Sequence, residues 1–186
     1  AASGEHDTMR QRHALYYLAL VEQMGQALYG REQPFTLDRL AQEHDNVQAA
    51  FSWFWSQADA ASMARMGWAL WRFWYMRGFL GEGRRWLERT LALPGELGPP
   101  LRARALFVLG LALHEQVQTD RAAALMEESI AASAGTDLPA HAMALCVHGV
   151  IQVIQGALAG AGESLQESAR LAAAIDDKVV GGIALS

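Results

Sequence analysis

One cysteine among 186 residues, Cys146, excludes an internal disulfide, and its neighbours Ala144, Leu145 and Val147 suit a small hydrophobe in a reducing compartment. Proline is equally sparse. The five prolines (Pro34, Pro94, Pro99, Pro100 and Pro139) bound long proline-free stretches rich in Ala, Leu, Arg, Glu and Gln, all good helix formers. Charged residues make up only 19% of the chain against 52% apolar, which excludes a disordered polymer. No leader is visible, because Ala1 to Arg12 is polar and charged. The most apolar stretch, Met63 to Leu80, is interrupted by Arg65, Arg72 and Arg77. Each arginine costs about 2.5–3.5 kcal/mol near a bilayer centre, so this stretch reads as a buried helix and not a membrane span.

Chemical motifs are missing as well. Gly81-Glu82-Gly83-Arg84-Arg85 lacks the lysine and hydroxyl with which a phosphate-binding loop holds phosphates and magnesium. His114-Glu115 lacks a second histidine, since position 118 is Gln118, and His6, His13, His44, His141 and His148 show no ligand spacing. No nucleophile or acid–base constellation stands out, so the expectation is a non-catalytic chain without metal or cofactor. No initiator methionine is present, and the sequence stops at Ala184-Leu185-Ser186 inside what reads as a new helix. The natural protein is therefore expected to be longer on both sides and cytoplasmic.

What is present is repetition. Gly83-Arg84-Arg85-Trp86-Leu87-Glu88-Arg89-Thr90 recurs as Ala122-Ala123-Ala124-Leu125-Met126-Glu127-Glu128-Ser129 and again, at the same interval, as Ala161-Gly162-Glu163-Ser164-Leu165-Gln166-Glu167-Ser168. Each copy opens on a small residue, carries bulky apolar residues at its fifth or sixth place and ends on a hydroxyl. A period of this length signals stacked helical hairpins. The expected fold is all-α: an N-terminal helix pair over 7–59, repeat hairpins over 60–93, 101–134 and 139–174, and a truncated helix over 176–186, together one helical-repeat domain. The two N-terminal helices are expected from Asp7 to about Tyr29 and from Thr36 to about Gln57. Twelve residues before each repeated segment, where paired helices should cross, stand Trp71, Gly110 and Gly149. Two of these permit close backbone approach and Trp71 does not, so the first hairpin must pack differently.

Gly110 with Ala122, and Gly149 with Ala161, resembles the small-residue pattern of the tetratricopeptide repeat. The 39-residue period departs from that repeat's usual 34, and Trp71 with Gly83 replaces its small pair. A more specific resemblance covers about the first 95 residues. Arg12-His13-Ala14-Leu15-Tyr16-Tyr17-Leu18-Ala19-Leu20, then Glu43-His44-Asp45-Asn46-Val47-Gln48-Ala49-Ala50-Phe51-Ser52-Trp53, then Leu70-Trp71-Arg72-Phe73-Trp74 and Glu82-Gly83-Arg84-Arg85-Trp86-Leu87-Glu88-Arg89 is similar to the region following the ATPase and winged-helix domains of bacterial signal-transduction ATPases with numerous domains, including LuxR-type transcriptional regulators. The resemblance implies a sensor or oligomerisation arm, with ATPase and DNA-binding domains elsewhere.

The tetratricopeptide resemblance also implies a right-handed solenoid whose concave face is lined by first helices. That face would offer Arg65, Trp68, Arg72 and Tyr75, then Arg104, Phe107, Leu111 and His114, then Met143, Cys146, Val150 and Val153. Eight arginines and three acids between Met63 and Arg104 give a local charge of +5 in a chain of net charge −5. A groove of arginines and aromatics suits a protein or peptide partner, or a small anionic effector. Two alternatives stand beside it: the arginines lie over neighbouring apolar surface, with Trp68 and Phe107 as core, or the last hairpin continues the stack as a homo-oligomer. Direct nucleic-acid binding is disfavoured by the negative net charge and by apolar residues interrupting the basic cluster.

Overall fold

In the computed structural model, residues 2–174 are described, with side chains from His6 onward, and the described chain is helical throughout, without strands. The helices are α1 (Ala2–Ala27), α2 (Gln33–Gln42), α3 (His44–Ser56), α4 (Ala60–Arg77), α5 (Leu80–Ala92), α6 (Pro99–Glu115), α7 (Thr119–Ser133), α8 (Leu138–Ile154) and α9 (Leu158–Ala174). The expected helix over 176–186 lies outside the described residues. The chain divides between Glu96 and Leu97 into two compact units.

In the first unit α4 is the central element. Met63, Ala64, Met66, Leu70, Trp71, Phe73 and Trp74 are all buried on it, as the nearly all-round apolar sequence requires. It packs against α1, α3 and α5. The single second helix expected over 36–57 is two helices, broken at Glu43, although no proline or glycine stands there. The break is held by side chains. Glu43 Oε2 accepts from Tyr17 Oη on α1 at 2.8 Å and from Asn46 Nδ2 at 2.9 Å, while Asn46 Oδ1 lies 3.4 Å from His13 Nε2. Tertiary contacts here override local propensity.

In the second unit α6 pairs with α7 and α8 with α9, while α8 also packs on α6 and α7, so two helical hairpins stack side by side. From Ala105 to Leu113 every residue of α6 is buried. The crossing points fall on the small residues that the sequence singled out. A Cβ on Gly110 would meet Met126 Cε at 2.9 Å and Ala122 O at 3.5 Å, and one on Gly149 would meet Leu165 Cγ at 2.7 Å and Ala161 O at 3.4 Å. The hairpin of α4 and α5 crosses differently, as expected. There Gly67 sits under Leu87, and Gly83 sits against the Trp74 ring, 2.5 Å from where a Cβ would lie.

The repeat period governs the ends of the helices as strictly as their faces. N-caps fall at Asp59, Gly98 and Asp137. Asp59 accepts from the Ser62 amide at 3.0 Å and Asp137 from the Ala140 amide at 3.2 Å, while Gly98 leads into Pro99 and Pro100 in the first turn. Left-handed residues close the first helix of each hairpin at Gly78 (φ 75°), Val117 (φ 60°) and Gly156 (φ 79°). The next amide in each case reaches back five positions: Phe79 to Trp74 O at 2.8 Å, Gln118 to Leu113 O at 3.0 Å and Ala157 to Gln152 O at 2.8 Å. This is the Schellman closure, which satisfies carbonyls that a helix end leaves unpaired.

Candidate functional site

The expected groove residues divide between the two units, and most are already engaged. In the first unit α1 lies along α4, close enough that a Cβ on Gly25 would come within 2.6 Å of Ala69 O. From that position Glu22 takes both Arg65 Nε and Arg65 Nη2 at 2.8 Å, a bidentate pair. Arg72 donates to Leu28 O at 3.2 Å, with its guanidinium 4.8 Å over the Tyr29 ring. Trp68 is half-buried, and Tyr75 is exposed at the far end of the row.

In the second unit Phe107 and Leu111 are core residues, as are Met143 and Cys146. Arg104 is bound through Nε to Asp137 Oδ2 at 2.5 Å, so one carboxylate both caps α8 and anchors α6. His114 is half-buried, and its Nδ1 has no hydrogen-bond partner among the described residues. Val150 is half-buried and Val153 exposed. Burial pushes the Cys146 thiol above its ordinary range, opposed by a hydrogen bond with Ser168, which marks it as a packing residue and not a nucleophile. Of the alternatives left open by the sequence, core packing therefore describes Phe107, and close pairing within the fold describes Arg65, Arg72 and Arg104.

Five residues of the segments quoted above, His44, Gln48, Phe51, Glu82 and Trp86, meet at the contact between α3 and α5. His44 Nε2 lies 3.2 Å from Glu82 Oε2, Gln48 Nε2 donates to Glu82 Oε1, and Gln48 Oε1 accepts from the Trp86 indole at 2.9 Å. Beneath this polar chain Phe51 stacks on Trp86, with centroids 4.9 Å apart and planes 13° off parallel. The motif thus works as a clamp joining two helices that the whole of α4 separates in sequence. Asp45, central to the motif in sequence, is exposed.

A cleft that sequence reasoning did not find opens between α1 and α3. Its volume is about 550 Å³, and its walls carry His6, Arg10 and His13 from α1 opposite Ser52, Trp53 and Ser56 from α3. A smaller pocket of about 320 Å³ is lined by Gln11, Leu15, Trp53, Phe54, Gln57 and Asp59. The signal was present in the sequence as two interlocking spacings, 6/10/13 and 52/53/56, each one face of a helix. What sequence alone could not supply was that α1 pairs with α3. Among the described residues no cluster of three or more His, Cys, Asp or Glu side chains is placed to hold a metal ion, and no helix is long and apolar enough to cross a membrane.

No protein-family model matches this sequence, and no curated protein matches it.

Proposed function

We propose that this chain is a non-catalytic helical-repeat domain of a bacterial transcriptional regulator, cytoplasmic, serving protein interaction and effector sensing. The observation that carries the reading is the recurrence of cap, left-handed turn and helix crossing at one fixed interval, at positions 59/98/137, 78/117/156 and 110/149. Chains built of such modules expose extended helical surface and leave little enclosed space for chemistry. A tetratricopeptide-like, right-handed arrangement of the hairpins belongs to the same proposal. So does the regulator assignment, supported by the part of its motif, Gln48, Phe51, Glu82 and Trp86, that meets between α3 and α5. The other domains of the parent regulator are its proposed partners, together with a protein, a peptide or a small anionic effector.

The test is the reading frame on either side of this segment. A phosphate-binding loop upstream with a helix-turn-helix at either end supports the regulator assignment. Flanks that encode only further hairpins overturn it in favour of a free-standing scaffold.

Self-association is the second reading. It is favoured by Val153, Ile154 and Leu158, which are 49%, 62% and 69% exposed around the turn of the last described hairpin. A molar mass in light scattering that stays at one chain across the concentration range counts against it.

A further inference from the structure

We infer that the cleft between α1 and α3 is a binding site for a small molecule that carries a phosphate or carboxylate on a flat aromatic body. The inference deepens the sensing half of the proposed function and gives it a location that neither the repeat pattern nor the expected groove contains.

The cleft has the size of a small-ligand site, within the roughly 300–1,000 Å³ such sites occupy. Its α1 wall presents His6, Arg10 and His13, one turn apart on one face, so imidazole and guanidinium donors converge from a single helix. Its α3 wall presents the half-buried Trp53 between the exposed hydroxyls of Ser52 and Ser56. Among the described residues none that lines the cleft is acidic, although the chain carries a net charge of −5.

Arg10 belongs to the half of the arginines of this protein that make no ion pair among the described residues. Arg39, Arg65, Arg77, Arg84, Arg102, Arg104 and Arg170 each pair with a carboxylate, whereas no ion pair engages Arg10 among the described residues. A guanidinium without an internal carboxylate can take an incoming anion in bidentate fashion. Trp53 supplies the apolar plane on which a ring can lie, and Ser52 supplies a hydroxyl at its edge, while the Ser56 hydroxyl is turned back to the Trp53 carbonyl at 2.7 Å. His13 is held in place by its contact to Asn46 and lies against Tyr17, ring centroids 4.6 Å apart and planes tilted by 44°, so its ring is positioned before any ligand arrives. A macromolecular strand is less well suited, because the basic residues occupy one helical face of about two turns, not an extended track.

The experiment is an NMR titration of the 186-residue chain with adenosine 5′-monophosphate, benzoate, inorganic phosphate and uncharged adenosine, following the Trp53 indole and the ring signals of His6 and His13. The expected result is saturable movement of these signals with the monophosphate or with benzoate, and binding by adenosine weaker by about tenfold, equivalent to about 1.4 kcal/mol. Arg10→Gln, at an exposed position, is expected to leave the circular dichroism unchanged and to weaken the charged probe by a similar factor. Monophosphate binding without benzoate binding identifies phosphate as the anion, and the reverse identifies carboxylate. No saturable movement with either aromatic anion at millimolar concentration overturns the inference, as does tight binding that survives Arg10→Gln. Either failure leaves the repeat-scaffold reading standing, since that is decided by the flanking reading frame.

Discussion

The hydroxyl of Ser129 donates to the main-chain carbonyl of Ala103 at 2.8 Å, tying α7 to α6 by a bond that spans 26 residues and is wholly buried. One repeat later Ser168 does the same on Ala142 O at 2.7 Å. In the first hairpin the equivalent hydroxyl, Thr90, turns back to Trp86 O of its own helix at 2.8 Å. Ser129→Ala and Ser168→Ala are each expected to lower unfolding free energy by about 1 kcal/mol, the usual net worth of such a bond. Thr90→Ser keeps the hydroxyl and removes a methyl, so its effect is expected to come from the void alone. Urea unfolding of the three variants checks the ranking: a Ser129→Ala protein with unchanged midpoint and slope removes the cross-link from the stability of the hairpin.

Val117 holds a left-handed backbone, φ 60°, at the position where the other two hairpins use glycine, and it is 84% exposed. For a β-branched residue that conformation costs about 1–2 kcal/mol. Val117→Gly is therefore expected to stabilise the second unit by about 1 kcal/mol, since it relieves strain and removes almost no buried surface. Gly156→Val is expected to do the reverse. Thermal unfolding of both reads the sign directly, and a destabilised Val117→Gly would mean that the exposed isopropyl group has a partner.

Alanine should be tolerated at one helical glycine and not at two others. At Gly110 the added methyl meets the flexible end of Met126 at 2.9 Å and Leu125 Cβ at 3.3 Å, a few tenths of an ångström too close, and alanine's better helix propensity, about 1 kcal/mol, offsets that repacking. At Gly83 it meets the rigid Trp74 ring at 2.5 Å, and at Gly25 the Ala69 carbonyl oxygen at 2.6 Å. Gly83→Ala and Gly25→Ala are each expected to cost about 1–3 kcal/mol through forced displacement. Chemical denaturation of the three variants measures the spread, and equal losses at Gly110 and Gly25 would contradict the packing described.

The pair of Tyr17 and Glu43 should shape stability against pH at both ends. Burial first, and then the hydrogen bond to Glu43 and its negative charge, push the Tyr17 phenol from 10.0 up to about 12. A raised value in the folded chain contributes stability that is complete below about 10 and is lost as pH climbs through about 12. The Tyr17 hydroxyl, and next the Asn46 amide, hold the Glu43 carboxyl below its ordinary range. A lowered value contributes stability present above the ordinary glutamate range and lost as pH falls through the folded-state value. Tyr17→Phe is expected to flatten the alkaline limb fully and the acid limb in part. Melting temperatures of the two proteins from acid to alkaline pH test this, and parallel profiles would exclude the pair as a titrating unit.

Much of the helical scaffold is legible in the order of residues alone. The hairpins expected over 60–93, 101–134 and 139–174 correspond to α4 with α5, α6 with α7, and α8 with α9, because proline, glycine and aspartate punctuate them at fixed intervals. The break at Glu43 is not legible, since it depends on Tyr17 and His13 approaching from another helix. The groove residues show the same limit. Helical spacing places Arg65, Arg72 and Phe107 on definite faces, but which element covers a face is a tertiary fact. Glu22 and Leu28, which occupy Arg65 and Arg72, lie 43 and 44 residues away from them in the chain. The α1–α3 cleft escapes for the same reason: its two walls are each ordinary amphipathic helix surface until they are brought together.

The identical intervals of cap, turn and crossing have a consequence for how this chain can vary in length. Asp59, Gly98 and Asp137 begin successive cassettes that carry their own start and stop signals, with Gly78, Val117 and Gly156 as interior punctuation. Duplication or excision of a whole cassette joins a cap to a cap and leaves every remaining turn in register. An insertion of any other length between Ala103 and Gly110, or between Ala122 and Ser129, must instead displace a glycine from its crossing or a serine from the carbonyl it bridges.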